Sequence, residues 1–341
     1  MNNNIYYLAE KPWKSNHAGN KARFDVDEVL KNRNYTPFLC MEDHVFLNLK
    51  EKIRFVISPE FLNRIRSLCA FKSKKLIMQY PIYADFITRS LIRRLIRKND
   101  TILFVHDINC IRYYDEKLLA LERDVLNSAK LLIVHNKYME DKLKSIGVDT
   151  DMISLGLFDY LLDDVPNKCN KLSNTLAFAG NLNKSAFLKR NVWNDSMGIH
   201  INLYGPNYNR GDYIEDFEYQ GCLPPDKIPF EIKGSFGLLW DGDSLNTCSG
   251  EYGEYMKYNN PHKLSLYIAS CLPVIVWEKA AVAELVKEEK IGFCVSKISD
   301  ISTLINNLSE DEYNECLINI KRIQHKVVTG WYTNLSLNKA L

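Results

Sequence analysis

The sequence has no run of about 18 apolar residues, so it offers no helix fit to span a bilayer. It has no C-x-x-C pair and no histidines at matching spacing, which argues against a structural zinc site. Its nine cysteines are dispersed and odd in number, as suits a reducing cytoplasm. Neither G-x-G-x-x-G nor G-x-x-x-x-G-K-[ST] follows an apolar strand, so dinucleotide and P-loop readings lose their main support. The first residues, MNNNIYYLAEKPW, lack the basic-then-apolar pattern of a secretory signal. No internal repeat or low-complexity tract is present.

What is there is globular in composition and uneven in charge. The 341 residues are 46% hydrophobic and 25% charged, enough chain for two cores. The net charge is +2, yet residues 1–100 carry 19 Lys and Arg against 10 Asp and Glu, and the remainder carries 25 against 32. A basic N-terminal part points to a polyanionic or membrane-surface partner on that side, or to plain surface variation.

Apolar runs of strand length alternate with amphipathic helical stretches, which predicts parallel α/β sheets. Strands are expected at 5–8, 36–39, 75–79, 101–105, 131–134 and 152–154, with helices at 58–71, 85–98, 116–128 and 137–146. The polar stretch LLDDVPNKCNKLSN, near residues 160–173, reads as a linker. A second strand series follows at 175–180, 201–205, 217–221, 235–241, 272–278 and 292–295, and the tail from Ile301 is helical by pattern.

Several segments carry chemistry. In NNPHKLSLYIASCLPVIVWEKAAVAELV, residues 259–286, a helix opens near Pro261 and a β-branched strand follows a break at 271–273. Lys263 at such a helix mouth can meet a diphosphate, which the free amides of the first turn also favour; a core βα unit with one exposed Lys is the competing account. In AFAGNLNKSAF, residues 177–187, a strand ends at Gly180 and Asn181, a helix is expected near Lys184 or Ser185, and Lys184 is a second cation for a diphosphate. In LFVHDINC, residues 103–110, His106 and Asp107 follow a strand at the sheet edge where a base could take a proton from an acceptor hydroxyl, or where His106 merely bonds a loop. The loop 9–30 offers His17, Gly19, Asn20 and Lys21 as acceptor contacts, unless it is simply solvated.

Two further stretches are ambiguous. Asp241 and Asp243 stand at D-x-D spacing, but late in a doubly wound pattern where no metal is needed. The Tyr- and Gly-rich stretch after them reads as too polar to form a core element, and mobile until a donor binds. In 85–100, Phe86, Ile87, Leu91, Ile92, Leu95 and Ile96 form an apolar stripe that covers a sheet. Arg89, Arg93, Arg94, Arg97 and Lys98 lie opposite, open to solvent, an acidic partner or an anionic membrane.

LFVHDI, LLIVHNKYMEDKLKSIGV, AFAGNLNK, GSFGLLWDGDS and NNPHKLSLYIASCLPVIVWE together resemble a bacterial GT-B glycosyltransferase family. It comprises the glucosyltransferases that extend O-GlcNAc on serine-rich adhesins and the galactofuranosyltransferases of surface-polysaccharide clusters. The resemblance covers nearly the whole chain. It implies an α/β fold of the GT-B kind, with two Rossmann-like parallel-sheet domains facing across a cleft and a C-terminal helix crossing back. The expected division is 1–160 for the acceptor domain, 174–325 for the donor domain and 326–341 for the returning helix.

The resemblance further implies a hexosyltransferase taking glucose or galactofuranose from a UDP-sugar, with no metal or other cofactor. Donor contacts would be Gly180, Asn181, Lys184, Asp241, His262, Lys263 and Leu264, and His106 or Asp107 the base of an inverting displacement. The acceptor would be a saccharide on a lipid carrier or a protein. Nucleic acid is not an expected partner; homo-oligomers and peripheral contact with the inner membrane face are. The E-x7-E pair of the large retaining GT-B families is absent, its positions holding Tyr258 and Leu266. The alternative is a catalytically silent GT-B subunit that binds glycosylated acceptor or a partner enzyme.

Overall fold

In a computed structural model, β-branched and aromatic runs form twelve strands, and the amphipathic stretches form fourteen α-helices, among the described residues. Those residues are 5–10, 18–41, 49–82, 86–168, 170–189, 192–193 and 197–341. The chain divides into two units. One takes Met1–Trp13, Val26–Leu155 and Leu335–Leu341; the other takes Lys14–Asp25 and Gly156–Asn334.

The first unit holds β1 (Ile5–Glu10), β2 (Thr36–Met41), β3 (Lys75–Tyr80), β4 (Asp100–Val105), β5 (Leu131–Val134) and β6 (Met152–Ser154), all parallel in the order β2-β1-β3-β4-β5-β6. Its helices are α1 (Ala18–Asn32, shared between the units), α2 (Leu49–Val56), α3 (Pro59–Ala70), α4 (Phe86–Lys98), α5 (Asn109–Tyr113), α6 (Glu116–Leu126) and α7 (Lys137–Ser145). Strands β3 and β4 are buried along almost their whole length, as parallel strands covered on both faces must be. Helix α3 starts because the Ser58 hydroxyl accepts from Phe61 N–H and Pro59 pre-sets the first turn.

Helix α4 buries Ile92, Leu95 and Ile96, as its stripe predicts. Its arginines are not all open: Arg93 and Arg97 both pair with Asp124 of α6, at 3.6 and 2.7 Å. The side chains of Phe86, Ile87 and Arg89 lie outside the described residues. Helices α2 and α5 were not foreseen. The first leaves Ile53 and Val56 exposed, with exposed Ile57 just beyond its end. The second is only five residues long.

The second unit holds β7 (Thr175–Ala179), β8 (His200–Tyr204), β9 (Phe217–Gly221), β10 (Phe236–Leu239), β11 (Val274–Trp277) and β12 (Gly292–Val295), in the order β12-β11-β10-β7-β8-β9. Its helices are α8 (Ile228–Glu231), α9 (Gly250–Tyr255), α10 (His262–Ala269), α11 (Ala283–Glu288), α12 (Asp300–Asn307), α13 (Glu310–Val328) and α14 (Trp331–Ala340, whose end counts with the first unit). Ser309 and Glu312 close a reciprocal capping box at the start of α13. The tail ends with Asn338 accepting from Arg33 Nη2 at 2.8 Å inside the first unit.

The stretch expected to be a linker belongs to the second unit. Tyr160 is buried, its N–H donates to Val327 and its hydroxyl to Pro225, while the carbonyls of Pro166 and Ala269 share the buried Gln324 amide. Of its polar side chains, Lys168 and Asn170 donate to the Ile232 and Cys271 carbonyls, while Asp163 and Asp164 are exposed.

Strand order reverses between β7 and β10, which makes this the switch point where open α/β sheets bind ligands. The two strands pair only at Phe236–Leu176 and Gly237–Ala177. Beyond that, the buried Tyr267 hydroxyl stands between them, accepting from Ala179 N–H at 3.0 Å and donating to the Leu238 carbonyl at 3.3 Å. Its ring needs Gly237 beneath it, where a Cβ would lie 2.3 Å from the ring. Tyr267→Phe strands a buried amide, so we expect a loss of about 1–3 kcal/mol with the fold retained, read from urea unfolding.

Candidate active site

At the switch point the chain brings together residues far apart in sequence. Gly180 follows β7, and Gly205 follows β8 with φ 132°, so close that a Cβ there would sit 1.9 Å from the Gly180 carbonyl oxygen. Asp241 follows β10, one residue past the buried Trp240. Lys263 is the second residue of α10, which opens after Pro261 and closes with Cys271 at φ 58°, a turn position glycine usually holds. Its ammonium lies 3.1 Å from both Asp241 oxygens, 4.3 Å from the centre of the Phe178 ring, and 3.6 Å from where a Gly180 Cβ would be.

Asn181 caps a tight turn by accepting from Asn183 N–H and binds Asn207 at 2.9 Å. The helix expected near Lys184 is two 3-10 turns instead, Leu182–Lys184 and Ala186–Leu188. They are short because Phe187 N–H is drawn to the Gly242 carbonyl of the neighbouring loop, at 3.1 Å. The Lys184 ammonium sits 5.0 Å from the Tyr252 ring. Tyr252 lies on α9, within the stretch expected to form no core element, and that expectation is corrected: Gly253 and Tyr255 are buried. A Cβ at Gly253 would meet the Cys248 carbonyl carbon at 2.5 Å and the Asp241 oxygen at 2.9 Å, so the glycine serves close packing. Asp243 accepts from Ser249, so the two D-x-D carboxylates have different partners.

His262 and Leu264 turn inward, away from Lys263. Leu264 is wholly buried in the second core. The His262 ring stacks on Tyr160 at 5.0 Å, its Nε2 lies 3.2 Å from the Asp159 carbonyl, and its buried Nδ1 has no partner among the described residues. Burial pushes its pKa down to about 4. Lys21 spends its donors on Asp25, the Leu161 carbonyl and Asp226, at 2.8, 2.7 and 3.1 Å. Burial, against the pull of Lys21, pushes the Asp25 carboxyl up to about 7. Asn20 is half-buried on α1, Gly19 is described only as helical backbone, and His17 lies outside the described residues.

In the first unit, His106 follows β4, and its N–H extends the ladder to the Tyr80 carbonyl at 2.7 Å. Its Nε2 meets Gln79 Oε1 at 2.6 Å, and Gln79 Nε2 donates to Asp27 at 2.7 Å. Asp107 is paired with Arg112, which occupies it as a proton acceptor. The loop after His106 is held by buried Glu122, which accepts from Asn109 N–H, Cys110 N–H and the Tyr80 hydroxyl. Sequence reasoning passed over Gln79 and Glu122. The signal was there in KLIMQY, where one amide stands inside a wholly apolar strand.

A family model described as "Glucosyltransferase 3-like, C-terminal domain" matches residues 176–340, and the corresponding N-terminal domain model matches residues 6–157. The chain belongs to the glucosyltransferase 3-like family. Among curated proteins it is 30% identical to the beta-1,6-galactofuranosyltransferase WbbI of Escherichia coli (strain K12), over 96% of each chain. It is 25% identical to glucosyltransferase 3 of Streptococcus gordonii, over 70% of each. Among solved structures, Anabaena HepE in complex with UDP superposes with a TM-score of 0.61 over 98% of each chain, at 11% identity. T4 phage BGT in complex with its UDP-glucose substrate gives 0.56 over 98% of each, at 12% identity. The fold is the two-domain α/β GT-B fold.

In this member of the family, His262 is neutral in the fold and takes a proton readily only when unfolded, where its pKa is 6.5. Its contribution is therefore complete above pH 6.5 and lost as pH falls toward 4. We expect His262→Phe, which keeps the stacking, to lose on the order of 2 kcal/mol less stability than the parent between pH 7 and pH 4.5, measured by denaturant unfolding at each pH.

Proposed function

We propose that the chain transfers a hexose, glucose or galactofuranose, from a UDP-sugar to a saccharide acceptor in cell-surface polysaccharide or glycoprotein synthesis. The observation that carries this reading is the Lys263 ammonium at the mouth of α10, held at the switch point beside Gly180. A diphosphate there meets one ammonium and the free amides of a helix start. Lys184 adds a second cation from the neighbouring loop. Gly180 presents backbone alone beside the Lys263 ammonium, and Gly205 lets the two loops close on each other.

In the reaction, a base takes the proton of an acceptor hydroxyl, the acceptor oxygen bonds the anomeric carbon, and the bond from that carbon to UDP breaks with its electron pair leaving on UDP. The charge gathering on the departing diphosphate is met by Lys263 and Lys184, the task a divalent ion performs in other transferases. The reading needs no metal, and it is supported by the occupation of Asp241 by Lys263 and of Asp243 by Ser249. The base is His106, because Asp107 is engaged by Arg112.

The acceptor is carried on a lipid or a protein, and the enzyme works on the cytoplasmic side. Support for peripheral membrane contact comes from exposed Ile53 and Val56 on α2, Ile57 after it and Leu62 on α3, with exposed Lys50, Arg54 and Arg66 on the same helices. Among the described residues, no helix is long and apolar enough to cross a membrane.

Calorimetry with UDP, UDP-glucose, UDP-galactose, UDP-galactofuranose, GDP-mannose and NAD, all with EDTA present, tests the reading. We expect UDP-sugar binding that survives EDTA and weakens at least about tenfold in Lys263→Ala, roughly the loss of one charge-assisted contact. No binding to any nucleotide, or an unchanged Kd in Lys263→Ala, overturns the donor site.

A further inference from the structure

We propose that Gln79 and Asp27 are positioning residues that hold the His106 imidazole in its Nε2–H tautomer, making Nδ1 the nitrogen that takes the acceptor proton. This rests on the reading of His106 as the base. The chain of reasoning starts at Asp27 on α1, whose carboxylate can only accept. Gln79 must therefore present its NH2 to Asp27, at 2.7 Å. That turns its carbonyl toward His106, at 2.6 Å. A carbonyl also only accepts, so His106 Nε2 carries the hydrogen and the neutral ring keeps its lone pair on Nδ1.

The Asp27 carboxylate sets the sense of the amide. Gln79 is 2% exposed on β3, and reversing it would set its oxygen against that carboxylate. His106 is fixed from below by its own backbone bond to Tyr80, across the register that pairs Gln79 with Phe104 and Tyr80 with Val105. The Phe104 ring lies 5.4 Å from the imidazole, and Asp107, the next residue in the chain, is paired with Arg112.

During transfer the acceptor proton moves to Nδ1 as the acceptor oxygen bonds the anomeric carbon. The ring becomes imidazolium, and its Nε2–H bond to Gln79 becomes charge-assisted. Asp27 polarises the amide that receives it. The arrangement performs what a carboxylate beside a histidine does, with one amide interposed.

The test is long-range proton–nitrogen correlation NMR on the full chain labelled with 15N-histidine, above the pKa of His106, with His106→Gln used to assign the signals. The parent protein should show His106 protonated at Nε2. Asp27→Asn frees the Gln79 amide to reverse, so the Nδ1–H tautomer should appear, with kcat at least about tenfold lower and KM for the UDP-sugar unchanged. Gln79→Glu restores an acceptor facing Nε2 and should keep the Nε2–H tautomer while moving the lower limb of the kcat pH profile. A parent ring protonated at Nδ1, or Asp27→Asn with both tautomer and kcat unchanged, overturns the proposal. The NMR readout stands without turnover: if the parent tautomer is Nε2–H but His106→Gln transfers sugar at the parent rate, the base assignment fails, and the role of Gln79 and Asp27 in catalysis with it.

Discussion

One hydroxyl holds the second unit's sheet together where its strands part. Strands β7 and β10 share only two register pairs before they diverge, and the Tyr267 hydroxyl then takes the place of the next ladder bond. The gap it spans is what a ligand site at a switch point requires. Without a bridge, buried Ala179 N–H and the Leu238 carbonyl would both go unpaired. Tyr267 comes from α10, the helix that also carries Lys263. The residue that braces the strands and the residue proposed to meet a diphosphate are therefore placed by the same element.

Close backbone contact governs the rim of that gap. Gly205 touches the Gly180 carbonyl, Gly242 approaches Ser249, and Gly253 lies against Cys248 and the Asp241 oxygen. Each lets one loop rest on another without a side chain between them. The loops at the carboxyl ends of β7, β8 and β10 are held by their neighbours rather than by a separate lid, and α9 is part of this packing.

Much of this was legible in the sequence, because parallel buried strands leave a plain trace. All twelve strands fall at the apolar runs, with ends within about two residues, and the break at 271–273 is where Cys271 turns. The positions of Gly180, Asp241 and Lys263 were legible too: the first two lie just past β7 and β10, and the third in the first turn of α10. Other things were not. His262 and Leu264 sit beside Lys263 in sequence, but helical geometry turns successive residues by about 100°, so neighbours face different ways. Lys21 looks like any loop lysine until Asp25, Asp226 and Leu161 are seen around it. The α9 stretch looked polar because composition does not distinguish a glycine that moves from one that must be small. Gln79 carried a signal, a lone amide in an apolar strand, but its partners are 52 and 27 residues away.

The pairing of Lys263 with Asp241 has a consequence for what can bind beside it. Both side chains are largely covered, at 18% and 21% exposure, and their charges cancel. A bare buried ammonium would draw any small anion in the cell, from chloride to inorganic phosphate. A lysine already matched by a carboxylate is electrically quiet, and an incoming group must compete with Asp241 for it. A monovalent ion has little to offer in that exchange, whereas a diphosphate brings two charged groups that can also take the α10 amides. In the proposed donor site the ion pair would therefore favour a ligand that offers several contacts at once over one that offers charge alone.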